Sequence, residues 1–294
     1  MVVLRLMALA VVMGISLAGQ APDPRREAPL PDQEAFFAEA RRRLASNDLI
    51  QSRYSYRERT TELRFNPFGR MGTGPVLVHD VYPHPDEALT YRRLIERDGQ
   101  PVPADELARQ DNDYRRRLAD WNRRLAREGT SDRRERERKA REASEKDENL
   151  AREALSLFDF AIVGRDTWEG QPAIVVSFTP RPEARPRSRE GRVAHAFGGR
   201  AWVHEHEFEV MRVEARAVRD VSFGWGVIGR LYEGATARFT RRRVDGVWVP
   251  VETRFDGDGR ALLVRRLTIR FARDYYDYRP FDPSALPARL GWTR

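Results

Sequence analysis

The sequence has no cysteine among its 294 residues. Disulfides are excluded, so the fold must stand on its core, and no cysteine nucleophile exists. Lysine is almost missing as well: Lys139 and Lys146 stand alone, and every other basic residue is arginine. The formal net charge is +8. An arginine bias of this kind follows genome composition as readily as it marks a binding surface. It does not point to nucleic acid, and anionic lipid headgroups or an acidic protein partner suit the balance better. Histidine is scarce, with five in the chain. After the first twenty or so residues no apolar run is long enough to cross a bilayer, which takes about 20 residues.

What is present begins at the N-terminus. Arg5 precedes "LMALAVVMGISLAG", an apolar run of signal-peptide length followed by small residues. Residues 1–21 are expected to be a cleaved signal peptide, with cleavage between Ala18 and Pro22 and a periplasmic or otherwise exported mature chain. The stretch "LAGQ" has the shape of a lipid-attachment box. Gln20 occupies the position of the acylated cysteine, so lipid cannot be attached there. Residues 22–31 read as a proline-rich linker, and residues 32–294 as a single domain.

Within that domain the period of the apolar residues changes twice. "DQEAFFAEARRRLASND" reads as a helix capped by Asp32, with Phe36, Phe37, Ala40 and Leu44 on one face and Asn47 and Asp48 ending it. From Leu49 the period is two, and strands follow to about residue 102. Residues 103–157 are expected to be a charged helical insertion of coiled-coil-like composition. Leu107, Tyr114, Leu118, Trp121 and Leu125 form one narrow seam, and "GTS" at 129–131 separates two helices. Charges nearly cancel there, which suits i,i+4 pairing on a solvated arm. Tyr114 and Trp121 are its candidate partner-binding residues. From Phe158 strands return, joined at "WEG", at Asp245–Gly246 and at "DGDG" (256–259), all hairpin signals. The expected class is mainly β (α+β): an open antiparallel β-barrel of about ten strands with an N-terminal helix and a helical-hairpin insertion.

The stretch "WVHEHEFEVMRVEA" (202–215) poses a chemical question. Residues i and i+2 share a strand face, so His204 and His206 would suit zinc if one strand ran through both. A turn separates them, no H-E-x-x-H motif exists, and His79, His84 and His195 are scattered. The reading is a polar hairpin tip and no metal. No G-x-S-x-G occurs, and "DGDG" lacks the later glutamate of a calcium loop. No enzyme activity and no cofactor are expected.

The pattern "RAWVHEHEFEVMRVEA" resembles the signature hairpin of the periplasmic lipoprotein-carrier (LolA/LolB-like) and RseB-type sensor superfamily. The tyrosine-rich strand "RYSYRER", the segment "RDVSFGWGVIGRLYEG" and the exported start agree with it. The resemblance covers residues 32–102 and 158–281, and it lacks the 103–157 insertion. It implies an incomplete antiparallel barrel whose apolar concave face is plugged by helices. It further implies an exported protein that binds a lipid or the acyl chains of a lipoprotein, or alternatively a regulatory module that binds an envelope protein. In the ligand reading, Phe223, Trp225, Val227 and Ile228 form an apolar lip at the mouth, and Arg185, Arg187 and Arg189 contact a headgroup.

Overall fold

The computed structural model describes residues 29–51, 53–65, 71–223, 229–261 and 265–291. The expected signal peptide lies outside the described residues. The first helix is α1 (Gln33–Gln51), followed by strands β1 (Tyr54–Phe65), β2 (Met71–Tyr82), β3 (Tyr91–Arg97) and β4 (Gln100–Pro101). Helices α2 (Ala104–Ala126) and α3 (Thr130–Leu157) come next, then β5 (Phe158–Trp168) and β6 (Gln171–Pro180). The short helix α4 (Arg189–Ala194) precedes β7 (Phe197–His204), β8 (Val210–Ala217), β9 (Val221–Phe223) and β10 (Gly229–Leu231). Strands β11 (Thr236–Val244), β12 (Val247–Ala261) and β13 (Arg265–Pro280) lead to the final helix α5 (Leu286–Arg289).

Thirteen strands form one sheet in the order β4-β3-β2-β1-β13-β12-β11-β8-β7-β6-β5, with β10 pairing β12 and β9 off this path. The path has two ends, so the sheet is open rather than closed. Strands β4, β9 and β10, two or three residues long, are those the sequence pattern does not show. Pieces that short carry no period-2 signal. No helix among the described residues is long and apolar enough to cross a membrane.

The chain divides into two compact units. The first contains Met1–Asp48, Glu62–Thr73 and Leu150–Ala272, and the second Leu49–Thr61, Gly74–Asn149 and Arg273–Arg294.

In the first unit the hairpins follow their turn residues. Glu169 and Gly170 (φ 48° and 79°) close β5–β6, and Asp245 and Gly246 (φ 49° and 82°) close β11–β12. Two consecutive positive φ values match the right-handed twist of the flanking strands. The "DGDG" stretch behaves differently from its sequence reading. It lies inside β12, where Gly259 pairs with Leu231 of β10. A Cβ on Gly259 would sit 2.1 Å from the Arg230 carbonyl oxygen. Glycine is needed there for close approach of a neighbouring backbone, not for a turn.

Helix α1 starts where expected: the Asp32 carboxylate accepts the Ala35 N–H at 2.9 Å. It continues through Asn47 and Asp48 to Gln51 rather than ending at them. Asn and Asp are mediocre helix formers, costing ~0.7 kcal/mol or less against Ala, and do not stop a helix by themselves.

In the second unit α2 is attached to β3. Asp111 takes two parallel hydrogen bonds from Arg93, at 2.9 and 3.0 Å, and a third from the Tyr91 hydroxyl at 2.6 Å. The Gln110 amide binds both the N–H and the carbonyl of Leu94. Tyr114 stacks on Tyr91 and is 2% exposed. Further along, residues 130–139 of α3 are exposed throughout.

Candidate functional site

Strand alternation gives the first unit two apolar faces. On β6, Ala173 and Val175 face a small cluster with Trp202, Met211 and Trp248. Ile174, Val176 and Phe178 face the opposite way, into the main core. That core also takes Ala201 and Val203 from β7 and Val213, Ala215 and Ala217 from β8. Helix α1 crosses it with Phe36 and Ala40 buried. The ring of Phe36 lies 5.3 Å from that of Phe208, and Phe37 lies 6.0 Å from Phe160. Gln33, at the helix start, accepts the Ile162 N–H at 3.2 Å.

The rim of this core is what distinguishes it. Phe37, Phe160, Ile162, Phe208, Phe239 and Phe255 pack against it yet stay partly exposed. Phe255 continues toward β13, stacking on Phe271 with centroids 6.0 Å apart. The sequence reading found Phe36 and Phe37 but not Phe160, Phe208, Phe239 or Phe255. They come from three strands and the β7–β8 turn, and alternation alone does not say which face of a strand meets α1.

The expected site residues are distributed as follows. Phe223 ends β9, whose partner β10 begins opposite it at Gly229. Trp225, Val227 and Ile228 lie outside the described residues, as does the Phe223 side chain. Arg185 and Arg187 are exposed in the connection from β6 to α4, and Arg189 is exposed at the start of α4. Glu153 ties that loop to the end of α3 by accepting the N–H groups of Arg187 and Ser188. Beyond α4, the link to β7 meets the segment leading into β9: Val218 donates to the Ala196 carbonyl at 2.7 Å, and Arg219 to the His195 carbonyl at 2.9 Å. Tyr114 is not available to a partner as expected, because its ring is buried against Tyr91. Trp121 stays half-buried, with the Arg124 guanidinium 5.9 Å from its ring.

The HEHE stretch is a tight turn. His204 is buried at the end of β7, and its Nδ1 accepts the Glu207 N–H at 3.0 Å and the His206 N–H at 3.3 Å. Burial lowers its pKa, against the pull of the Glu207 carboxylate. His206 is exposed. One imidazole is thus occupied in capping its own turn. No group of three or more candidate ligands gathers among the described residues.

No protein-family model and no curated protein sequence matches this chain. Three solved structures show a distant likeness. A DUF1329 family protein from Desulfovibrio piger is 12% identical, with TM-score 0.30, covering 87% of this chain and 96% of that one. A domain of Vibrio parahaemolyticus described as an outer membrane lipoprotein-sorting protein is 8% identical, with TM-score 0.31, covering 89% and 100%. MucB, solved in complex with MucA(peri), is 11% identical, with TM-score 0.20, covering 85% and 100%. Likenesses this distant assign neither a ligand nor a partner.

Proposed function

We propose that this chain is an exported, non-enzymatic binding protein. It takes an apolar ligand, a lipid or the acyl chains of a lipoprotein, on the first unit's sheet face beside α1. The observation behind this reading is the half-buried rim of Phe37, Phe160, Ile162, Phe208, Phe239 and Phe255 around a fully buried core. An acyl chain laid along that rim leaves water without any covalent step, gaining ~0.8 kcal/mol per buried methylene. The 223–228 stretch is proposed as the lip, and the arginines at 185, 187 and 189 as headgroup contacts.

The test is titration of the purified mature protein with a fluorescent fatty acid. Phe239→Ala and Phe255→Ala should each weaken binding about tenfold, the equivalent of one large side chain removed from a ligand wall. Trp225→Ala should weaken it similarly. If wild-type protein binds no lipid, the apolar-ligand reading fails. The alternative is then a regulatory module docking an envelope protein, for which the exposed, charge-paired surface of α3 at residues 130–139 is the available face.

A further inference from the structure

The second unit holds a polar cluster that the apolar-ligand reading does not use. Strand β1 alternates, so Arg57 turns to Asp80 and Asp277, while Tyr56, Glu58 and Thr60 occupy the other face. Glu58 is 1% exposed. Its Oε1 accepts the Thr60 hydroxyl at 3.0 Å and the Arg92 guanidinium, and lies 3.4 Å from Arg273 Nε. Tyr56 is flanked by the rings of Tyr275 and Tyr278, at 5.9 and 5.2 Å. His79 shares this face: in the β2–β3 register it opposes Leu94, and Val81 opposes Arg92. Arg92, Glu58 and Arg273 are its electrostatic neighbours.

Charge here does not balance. Two guanidiniums surround one carboxylate, and burial, reinforced by Arg92, lowers the His79 pKa and keeps the ring neutral. The net charge of the cluster is one positive, carried by guanidiniums that stay partly exposed around a buried carboxylate. Hydrogen bonding is incomplete as well. Among the described residues, His79 Nδ1 and Arg273 Nε are buried without a hydrogen-bond partner. Arg273 Nε faces Glu58 Oε1 at 3.4 Å, so the His79 Nδ1 is the atom that points to a missing partner. The Tyr56 hydroxyl is pushed up to about 12 by burial and by Glu58, so it remains a protonated donor at neutral pH. The cluster is reachable, since the Arg92 and Arg273 side chains keep 38% and 23% exposure.

We propose that this cluster is an anion-binding site for one carboxylate or phosphate group. The anion supplies the missing negative charge and accepts from Arg273 Nε and from the Nδ1–H tautomer of His79. Glu58 is a positioning residue that holds the two guanidiniums in place. This inference does not rest on the apolar-ligand reading, because every group in it belongs to the second unit.

Calorimetric titration of the full mature chain with acetate, inorganic phosphate, octanoate, octyl phosphate and 1-octanol tests it. The anions should bind and the alcohol should not. Equal binding of acetate, phosphate and their octyl counterparts identifies a free small anion, and binding of the tailed anions alone identifies an amphiphile headgroup. Arg273→Gln should weaken binding roughly tenfold or more, the loss of one charge-assisted hydrogen bond. Glu58→Gln should strengthen it by roughly fivefold, because a neighbouring negative charge is removed while shape is kept. A purely structural ion pair predicts lowered stability for Glu58→Gln and no gain in anion affinity. His79→Phe carries the test if Arg273→Gln does not fold, and should weaken binding severalfold. Three results overturn the site: no anion binding by wild type, octanol binding as tightly as octanoate, or folded variants indistinguishable from wild type. Phe239→Ala, in the other unit, should leave acetate and phosphate affinity unchanged, so failure here and failure of the apolar reading are separable.

Discussion

The ring of Tyr114 lies 4.3 Å from that of Tyr91 at an interplanar angle of 11°. This stack, together with the Asp111 network beside it, makes α2 a structural element of the second unit rather than a free arm. Removing it should be expensive. Tyr114→Ala is expected to cost ~3–5 kcal/mol, the range for truncating a buried large aromatic. Trp121→Ala, further along the same helix and half-buried, should cost under ~1.5 kcal/mol. Urea midpoints of the two variants check this. Equal losses would mean that the seam is uniformly packed and that Tyr114 is not its anchor.

The exposed part of α3 should behave differently. Residues 130–139 carry surface ion pairs such as Arg138 with Glu135 and Glu142. Exposed pairs of this type contribute little, typically ~0–1 kcal/mol. Replacing residues 131–142 by a Gly/Ser segment of equal length should leave the circular-dichroism signature of the sheet intact and the urea midpoint nearly unchanged. Loss of cooperative unfolding would show that this surface packs against something essential.

His204 makes stability depend on pH in a defined direction. Its Nδ1 accepts two backbone N–H groups, which a protonated ring cannot do. Burial lowers the folded pKa below the unfolded value of about 6.5. The unfolded chain therefore binds the proton more readily. Stability is fully present above about pH 6.5 and declines as pH falls through the folded pKa. His195, buried and bonded to the Arg181 carbonyl at 2.8 Å, shifts the same way, with burial as the leading cause. Urea midpoints from pH 8 to pH 5 should be flat and then fall. His204→Gln should be less stable at pH 8 and fall less steeply. Parallel curves for the two proteins would remove His204 as a contributor.

Gly259 should tolerate no side chain. The Arg230 carbonyl oxygen occupies the space of a Cβ, at 2.1 Å. Gly259→Ala is expected to break the β10–β12 pairing and to cost ~1–3 kcal/mol, the range for overpacking. Hydrogen exchange of the Leu231 region should accelerate in step. Gly246→Ala has open space but a φ of 82°, so its cost should stay near ~1–2 kcal/mol with β10 protection unaffected. Wild-type exchange in Gly259→Ala would mean that β10 moves aside at no cost.

What the sequence determines by itself is local. The Asp32 cap, the hairpins at Glu169–Gly170 and Asp245–Gly246, the break between the two helices near residue 129 and the ten longer strands are all readable from neighbours in the chain. Each rests on capping, on positive φ, or on a period that a few consecutive residues reveal. The HEHE turn belongs here too, because its hydrogen bonds close within four residues. Tertiary structure decides whatever depends on residues far apart. Tyr114 has the same place in its heptad-like seam whether it meets a partner or Tyr91, and only the packing of α2 on β3 selects Tyr91. "DGDG" reads as a turn until β10 arrives from twenty-eight residues earlier and needs the space at Gly259. Glu58, Arg92 and Arg273 look like ordinary members of alternating strands. Their convergence on one buried oxygen comes from strand order, which no local pattern encodes. The physical reason is the same in each case. Backbone preference acts over a few residues, whereas burial and charge pairing depend on which distant strands become neighbours.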